Sequence, residues 1–261
     1  MATDQLNDRS TQVPATPPAN PMAPVPDRAL PLRRLADQLE ASDPYTSGHS
    51  RRVARYSTLV GAQIGMAGGE LRRLRTAAML HDVGKIAVPV GIVRKPGALT
   101  TWEYEQIKSH ATEGARLIES VVGDLALATI VRHHHERLDG RGYPDSLAGE
   151  QIPLGARVIA VADTFDAICS RRPYRPARSF QAALDALGAA AGHQLDPMIV
   201  HGFGAVFEAL PGMGSLDLLS DSGERLVRDA HSSLAGPPAD VSGGAHVSGG
   251  RPAGSVPRWS G

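Results

Sequence analysis

The chain has 261 residues, of which 42% are hydrophobic and 4% aromatic, and its 27 basic side chains equal its 27 acidic ones in number. This hydrophobic fraction is enough for a sizeable core, while the balanced charge excludes a net field that would attract nucleic acid or an anionic membrane surface. A single cysteine, Cys169, excludes an intrachain disulfide. The sequence also has neither an apolar leader nor a run of about 18 apolar residues. We therefore predict a cytoplasmic protein without nucleic-acid or membrane partners.

The two ends of the chain differ in composition from its middle. Residues 1–28 are rich in proline, alanine and polar residues and show no hydrophobic period, so they cannot bury enough surface to offset the entropy of ordering. From residue 220 the sequence again becomes low in complexity. We predict a disordered arm over 1–28, one folded domain over 29–219 and a disordered tail over 220–261.

The middle of the chain has helical periodicity without a convincing strand pattern, and we predict an all-α fold. Only the stretch IPLGARVIAVAD is ambiguous. The first predicted helix, 31–41, is amphipathic, so its apolar face could pair with a partner or a second copy, or could pack on its own domain. We favour packing on its own domain. The next, over 49–64, carries a stripe that begins with a histidine: His49, Val53, Tyr56, Val60 and Ile64.

Two further predicted helices carry potential ligands on faces that should be buried. In the helix over 70–82, one face consists of Leu71, Leu74, Ala78 and Asp82, and we expect Gly84 to end this helix. In the helix over 156–170, a common side consists of Ile159, Asp163 and Asp166. Polar side chains on such faces need compensation for the loss of water.

A bound divalent cation is the usual compensation for several buried carboxylates and imidazoles. The candidate ligands are His49, His81, Asp82, His110, His133, His134, His135 and Asp163. So many ligands suit two adjacent metals that share a bridging carboxylate. Neighbouring residues on a helix point about 100 degrees apart, and we predict that Asp82 bridges while His81 binds one ion. Imidazole-rich sites favour transition metals, so we predict iron or manganese, with zinc, nickel or cobalt as alternatives.

Any one of these histidines alone would more often be a hydrogen-bonded core residue, so the order of the motifs carries more weight. The chain contains, in order, DPYTSGHSRRVA (43–54), AAMLHDVGKIAVP (77–89), KPGALT (95–100), IKSHATEGA (107–115), HHERLDGRGYP (134–144), VADTFDAICSRRPYR (161–175) and GHQLDP (192–197). Over residues 43–203 this order resembles the HD-GYP family, the HD-domain phosphohydrolases that hydrolyse cyclic di-GMP. The resemblance implies a helical HD-domain bundle extended by a GYP subdomain.

The resemblance also implies the division of ligands between two metals. One metal would be held by His49, His81, Asp82 and Asp163, and the other by Asp82, His110, His134 and His135. Some members bind a third metal through a glutamate four residues before the first histidine, but this chain has Tyr45 there. We therefore predict two metals and regard His133 as a bystander.

Further residues are candidates for catalysis and substrate binding. Lys85, near Asp82, should neutralise charge that develops on the phosphoryl oxygens. Arg172 and Arg175 suit bidentate pairing with phosphate or a guanine edge, and the resemblance places both near the dinucleotide. In the GYP motif, the turn at Gly142 should bring backbone amides near the ligand, and Tyr143 either stacks or packs. We expect Asp166 to orient a metal ligand or an arginine.

Three functional hypotheses follow. The first is hydrolysis of cyclic di-GMP to pGpG or GMP by a hydroxide that two metals activate. The second keeps the metals but changes the substrate to another nucleotide or cyclic dinucleotide. The third is a largely non-catalytic module that binds cyclic di-GMP in signalling. A homodimer or a regulatory protein partner stays open under all three.

Overall fold

The structure is a computed structural model that describes residues 27–41, 48–170 and 179–208. Its described residues form helices and no strand, which confirms the all-α prediction. The ambiguous stretch IPLGARVIAVAD is helical from Leu154 onward. The helices are α1 (Leu30–Ala41), α2 (His49–Gln63), α3 (Gly68–Leu80), α4 (Val90–Val93), α5 (Thr101–Val121), α6 (Leu125–Arg132), α7 (Leu154–Cys169), α8 (Phe180–Ala190) and α9 (Pro197–Glu208), with 3-10 helices at Val83–Ala87 and Gly149–Gln151.

The core lies where α2 and α7 pack against each other and against α8 and α9. Aromatic rings from these helices contact one another there: Tyr56, Phe165, Phe180, Phe203 and Phe207. Such pairs stabilise a core beyond the area that they bury. Because α2 and α7 also carry predicted metal ligands, this packing holds the two ligand-bearing helices in a fixed relation.

The segment after α3 differs from the prediction. Helix α3 ends at Leu80 and not at Asp82, which instead is the N-cap residue of the 3-10 helix Val83–Ala87. The expectation that Gly84 ends the helix was wrong. A Cβ atom at Gly84 would lie 2.0 Å from the carbonyl oxygen of His110 and 2.4 Å from the nitrogen of Gly114. The glycine is therefore required because the 3-10 helix touches the α5 backbone.

Helix α1 packs on α3 and on the 3-10 helix Val83–Ala87, with Leu32 and Ala36 buried. It thus lies against its own domain, as favoured from its sequence. The predicted tail 220–261 and, apart from residues 27 and 28, the predicted arm 1–28 lie outside the described residues. No helix in the described part of the chain is long and apolar enough to cross a bilayer.

Candidate metal centre

The predicted ligands converge in two adjacent groups, although they come from positions between 49 and 163. One group consists of His49, His81 and Asp163, and the other of Asp82, His110, His134 and His135. Within each group, one ligand atom from each residue lies within 4.8 Å of all the others. These two groups contain the residues of the two predicted ligand sets, except that Asp82, predicted to belong to both, falls in the second group alone.

Local backbone contacts orient three of the histidines in the same way. The Nδ1 atoms of His81, His110 and His134 lie 2.6–2.8 Å from the carbonyl oxygens of the residues three positions earlier: Ala78, Ile107 and Val131. A carbonyl oxygen only accepts, so each Nδ1 must carry the hydrogen. Each Nε2 then faces the site with a bare lone pair, which is the form that binds a metal.

Two observations indicate that the lone pairs on these Nε2 atoms suit binding of a cation. The Nε2 atoms of His110 and His134 lie 3.3 Å apart, although neither has a hydrogen to donate when the rings are neutral. The buried Nε2 of His81 has no hydrogen-bond partner among the described residues. A buried acceptor without a partner is unfavourable, and a divalent cation in each of the two groups would satisfy all three Nε2 atoms. The residues present therefore fit a metal site.

The carboxylate of Asp82 lies between the two groups. Its Oδ1 is 3.4 Å from Nε2 of His110, while its Oδ2 is 3.5 Å from Nε2 of His81 and 3.9 Å from Nε2 of His49. Burial alone would raise the pKa of Asp82, but Lys85 and the surrounding imidazoles hold it well below its usual range. The carboxylate is thus ionised, with one oxygen towards each group, as a bridging ligand requires.

His49 connects the site to a buried ion pair. Its Nε2 lies 3.3 Å from Oδ1 of Asp163, and its Nδ1 lies 2.8 Å from Oδ2 of Asp166. Burial lowers the pKa of His49, but the two carboxylates outweigh it and raise the pKa to about 10. Asp166 also accepts from Nε of Arg52 at 2.6 Å, so it contacts both a predicted ligand and an arginine.

The imidazoles of the other group are neutral. Burial, followed by the charge of the neighbouring histidines, lowers the pKa of His135 to about 3, and it holds the pKa of His134 well below its usual value. Burial likewise lowers the pKa of His110. These three side chains would bind a cation near neutral pH without first losing a proton.

Lys85 lies at the edge of the centre, with Nζ 2.5 Å from Oδ2 of Asp82. Its side chain is 30% exposed. Asp82 is the N-cap residue of the 3-10 helix Val83–Ala87, and a 3-10 helix places residues three positions apart on one side, so the close approach follows from the local backbone. An ammonium group here can reach both the carboxylate of Asp82 and a ligand that enters from solvent.

The GYP loop, residues 137–148, lies over the second group of ligands. The Tyr143 ring packs on the His135 ring, with centroids 4.9 Å apart. Gly142 allows the loop to lie against the chain at Glu136, because a Cβ atom there would be 2.4 Å from the Cα of Glu136. Gly142 thus has a packing role that its sequence context did not predict. Arg172 and Arg175, like Tyr45, lie outside the described residues.

His133 lies apart from both groups of ligands. Its Nε2 is 2.8 Å from Oδ2 of Asp145, which also accepts from Nε of Arg132 at 2.7 Å. His133 therefore helps to anchor the GYP loop, which agrees with its exclusion from the predicted ligand set.

Two structural residues of this region were missed from the sequence. Arg52 is one turn after His49 on α2, and this spacing was the available signal for its contact with Asp166. The buried Glu136 accepts hydrogen bonds from the backbone N–H groups of Asp145 and Leu147, at 2.7 and 3.1 Å. No local pattern indicates that contact, since both partners lie in an irregular loop.

Comparison with known proteins places this chain in a family. The family model described as "HD domain" matches residues 33–199. The cyclic di-GMP phosphodiesterase response regulator RpfG of Xanthomonas campestris is 44% identical over 171 residues, which are 65% of this chain and 45% of that protein. The 3'3'-cGAMP-specific phosphodiesterase 3 of Vibrio cholerae is 37% identical over 69% of this chain and 40% of its own length.

Solved structures show the same fold. A cyclic GMP-AMP-specific phosphodiesterase of V. cholerae matches with a TM-score of 0.58 and 22% identity, over 81% of this chain and 54% of that one. An HD-GYP-type protein of Bdellovibrio bacteriovorus matches with a TM-score of 0.53 and 18% identity, over 66% of this chain and 55% of that one. The chain spans less than half the length of the curated relatives described above.

Proposed function

Because this chain belongs to the HD-domain family, we propose that it is a metal-dependent phosphodiesterase of the HD-GYP type that hydrolyses cyclic di-GMP to pGpG or GMP. The observation that carries the proposal is the position of Asp82, whose two oxygens face two groups of ligands. Relatives from X. campestris and Thermotoga maritima named as cyclic di-GMP phosphodiesterases, at 44% and 38% identity, support the substrate.

We assign the metals to the residues as follows. His49, His81 and Asp163 would hold one ion, His110, His134 and His135 would hold the other, and Asp82 would be a ligand to both. Imidazole and carboxylate together favour iron or manganese, with zinc, nickel or cobalt as alternatives. When bound, two such ions lower the pKa of a water molecule and polarise a phosphoryl oxygen.

The side chains of the protein supply the rest of the chemistry. Lys85 neutralises negative charge that develops on the phosphoryl oxygens, because its ammonium lies beside the bridging carboxylate. The hydroxyl of Tyr143 stays protonated, since burial and nearby acidic groups raise its pKa, and it donates a hydrogen bond to the substrate. Gly142 shapes this loop, and Arg172 and Arg175 bind phosphate or guanine.

A second candidate substrate is 3'3'-cGAMP. Relatives in V. cholerae named as 3'3'-cGAMP-specific phosphodiesterases are 37% and 34% identical to this chain. The same metal centre would cleave either dinucleotide, because the bond that breaks is the same in both. The balanced charge and free Cys169 agree with a cytoplasmic enzyme on a small molecule, and a homodimer or a regulatory partner would supply control.

The experiment is hydrolysis by the full chain after anaerobic loading with iron or manganese, with products separated by chromatography. We expect cyclic di-GMP to be linearised and the Asp82→Ala variant to be inactive, with an unchanged helical circular dichroism spectrum. Asp185→Ala is the matched control, because Asp185 is exposed on α8 and accepts a hydrogen bond from Nε2 of Gln181 at 2.9 Å. Binding of cyclic di-GMP without cleavage under every metal would refute the enzymatic proposal.

A further inference from the structure

Three side chains on the first half of α5 form a rim next to the metal centre: Tyr104, Glu105 and Lys108. Nζ of Lys108 lies 5.4 Å from the centroid of the Tyr104 ring and 5.7 Å from that of Tyr143. The Tyr143 ring in turn packs on His135. The rim is therefore one aromatic ring away from a predicted metal ligand.

Lys108 is held differently from a comparable cation on the same helix. It pairs with Glu105 three positions earlier, at 2.6 Å, and only 26% of its side chain is exposed. Arg116 pairs with Glu113 at the same spacing, and 68% of its side chain is exposed. The difference arises because Lys108 lies against two tyrosine rings, where cation–π attraction favours it.

The rim offers a ligand three kinds of contact. The Tyr104 ring is 48% exposed and presents a face on which a nucleobase can stack. The ammonium of Lys108 has three N–H donors, so it can donate to a ligand while it still contacts Glu105. The Glu105 carboxylate beside it only accepts when ionised. A stacking surface thus lies beside a donor and an acceptor.

We propose that Tyr104, Glu105 and Lys108 form a guanine-binding subsite. This subsite would select cyclic dinucleotides that contain at least one guanine over those whose bases are both adenine. This inference rests on the phosphodiesterase function proposed above. The O6 atom of guanine accepts a hydrogen bond, which suits Lys108. The adjacent N1–H and N2–H groups donate, which suits Glu105. Adenine carries an amino donor in place of O6, a hydrogen-bond acceptor at N1 and no 2-amino group, so in the same position it would make none of these contacts.

The position of the rim agrees with the size of the substrate. In a cyclic dinucleotide each base is joined to the phosphates through one sugar. With one phosphate at the metal centre, a base that reached Tyr143 would also lie near the rim, because the Tyr143 ring contacts His135 on one side and is 5.7 Å from Nζ of Lys108. The base would then stack on Tyr104 with its polar edge towards Lys108.

The test uses steady-state kinetics of the metal-loaded full chain with cyclic di-GMP, cyclic di-AMP and bis(p-nitrophenyl) phosphate, a diester without bases. We expect Tyr104→Ala to lower kcat/KM for cyclic di-GMP by about 5- to 100-fold, mainly through KM, and Tyr104→Phe to resemble wild type. Lys108→Gln should reduce the preference for cyclic di-GMP over cyclic di-AMP by about tenfold. Arg116→Gln is the matched control, with kinetics like wild type.

The small diester separates this inference from a general defect, because every variant should hydrolyse it within about twofold of wild type. A Lys108→Gln variant with an unchanged preference, or a Tyr104→Ala variant with an unchanged KM, would overturn the subsite. Equilibrium dialysis with GMP and AMP gives a readout that does not depend on turnover. If wild type cleaves neither dinucleotide, the phosphodiesterase proposal fails, while tighter binding of GMP than AMP that Lys108→Gln abolishes would still support the subsite.

Discussion

The contact between Asp166 and His49 allows a selective test of the metal centre. Asp166 is 2% exposed and accepts from Nδ1 of His49 at 2.8 Å, from Nε of Arg52 at 2.6 Å and from Oγ of Ser170 at 3.2 Å. With Nδ1 protonated in this way, the Nε2 atom of His49 is the one that binds a metal. The substitution Asp166→Asn changes this arrangement without removing volume.

In the Asp166→Asn variant, the positive Arg52 should retain the amide oxygen, so that the amide NH2 faces His49. An NH2 group only donates, so Nδ1 must accept and the ring hydrogen moves to Nε2. The metal at His49, His81 and Asp163 then loses one ligand. Loss of such an orienting contact weakens metal affinity by about 10- to 100-fold, which corresponds to about 1.4–2.8 kcal/mol.

The assay is calorimetric titration of metal-free protein with manganese, together with the metal content of dialysed samples. Wild type should bind two ions per chain, whereas Asp166→Asn should show one weakened site and one unchanged site, because the second group does not contact Asp166. The exposed Asp185→Asn serves as the control. Equal weakening of both sites, or of neither, in a variant with an unchanged helical spectrum would refute this reasoning.

Three further predictions follow from the described contacts. Gly84→Ala should destabilise the protein in urea by about 2–4 kcal/mol, because its Cβ would overlap the α5 backbone, whereas Gly91→Ala, which meets nothing within 4 Å, should change it little. Despite its burial, nearby carboxylates raise the pKa of His49 to about 10, so metal binding at pH 7.5 should release about one proton, measured by calorimetry in two buffers. Metal affinity should therefore rise with pH up to that pKa. A metal affinity that does not change with pH would contradict this. Glu136→Gln should lower the free energy of unfolding by about 1–3 kcal/mol, because one new N–H group would face a backbone donor of the GYP loop; an unchanged urea midpoint would argue against that anchoring role.

Much of the site was predictable because its ligands follow local patterns. Helical spacing indicated that α2 and α7 would place His49 and Asp163 on inward faces, where His49 is buried and Asp163 is partly buried. The order of the motifs indicated that these residues belong to one centre. The all-α class followed from the same periodicity. These features depend on residues within one helix, whose relative directions the backbone geometry determines.

The tertiary structure decided which atoms face each other. The two oxygens of Asp82 face different ligand groups, Gly84 touches α5 and does not end a helix, and Lys108 lies against Tyr143 from the GYP loop. Each of these contacts joins segments that no sequence period connects. Their geometry depends on how helices pack at their crossing points, and that packing is a property of the whole core and not of any single segment.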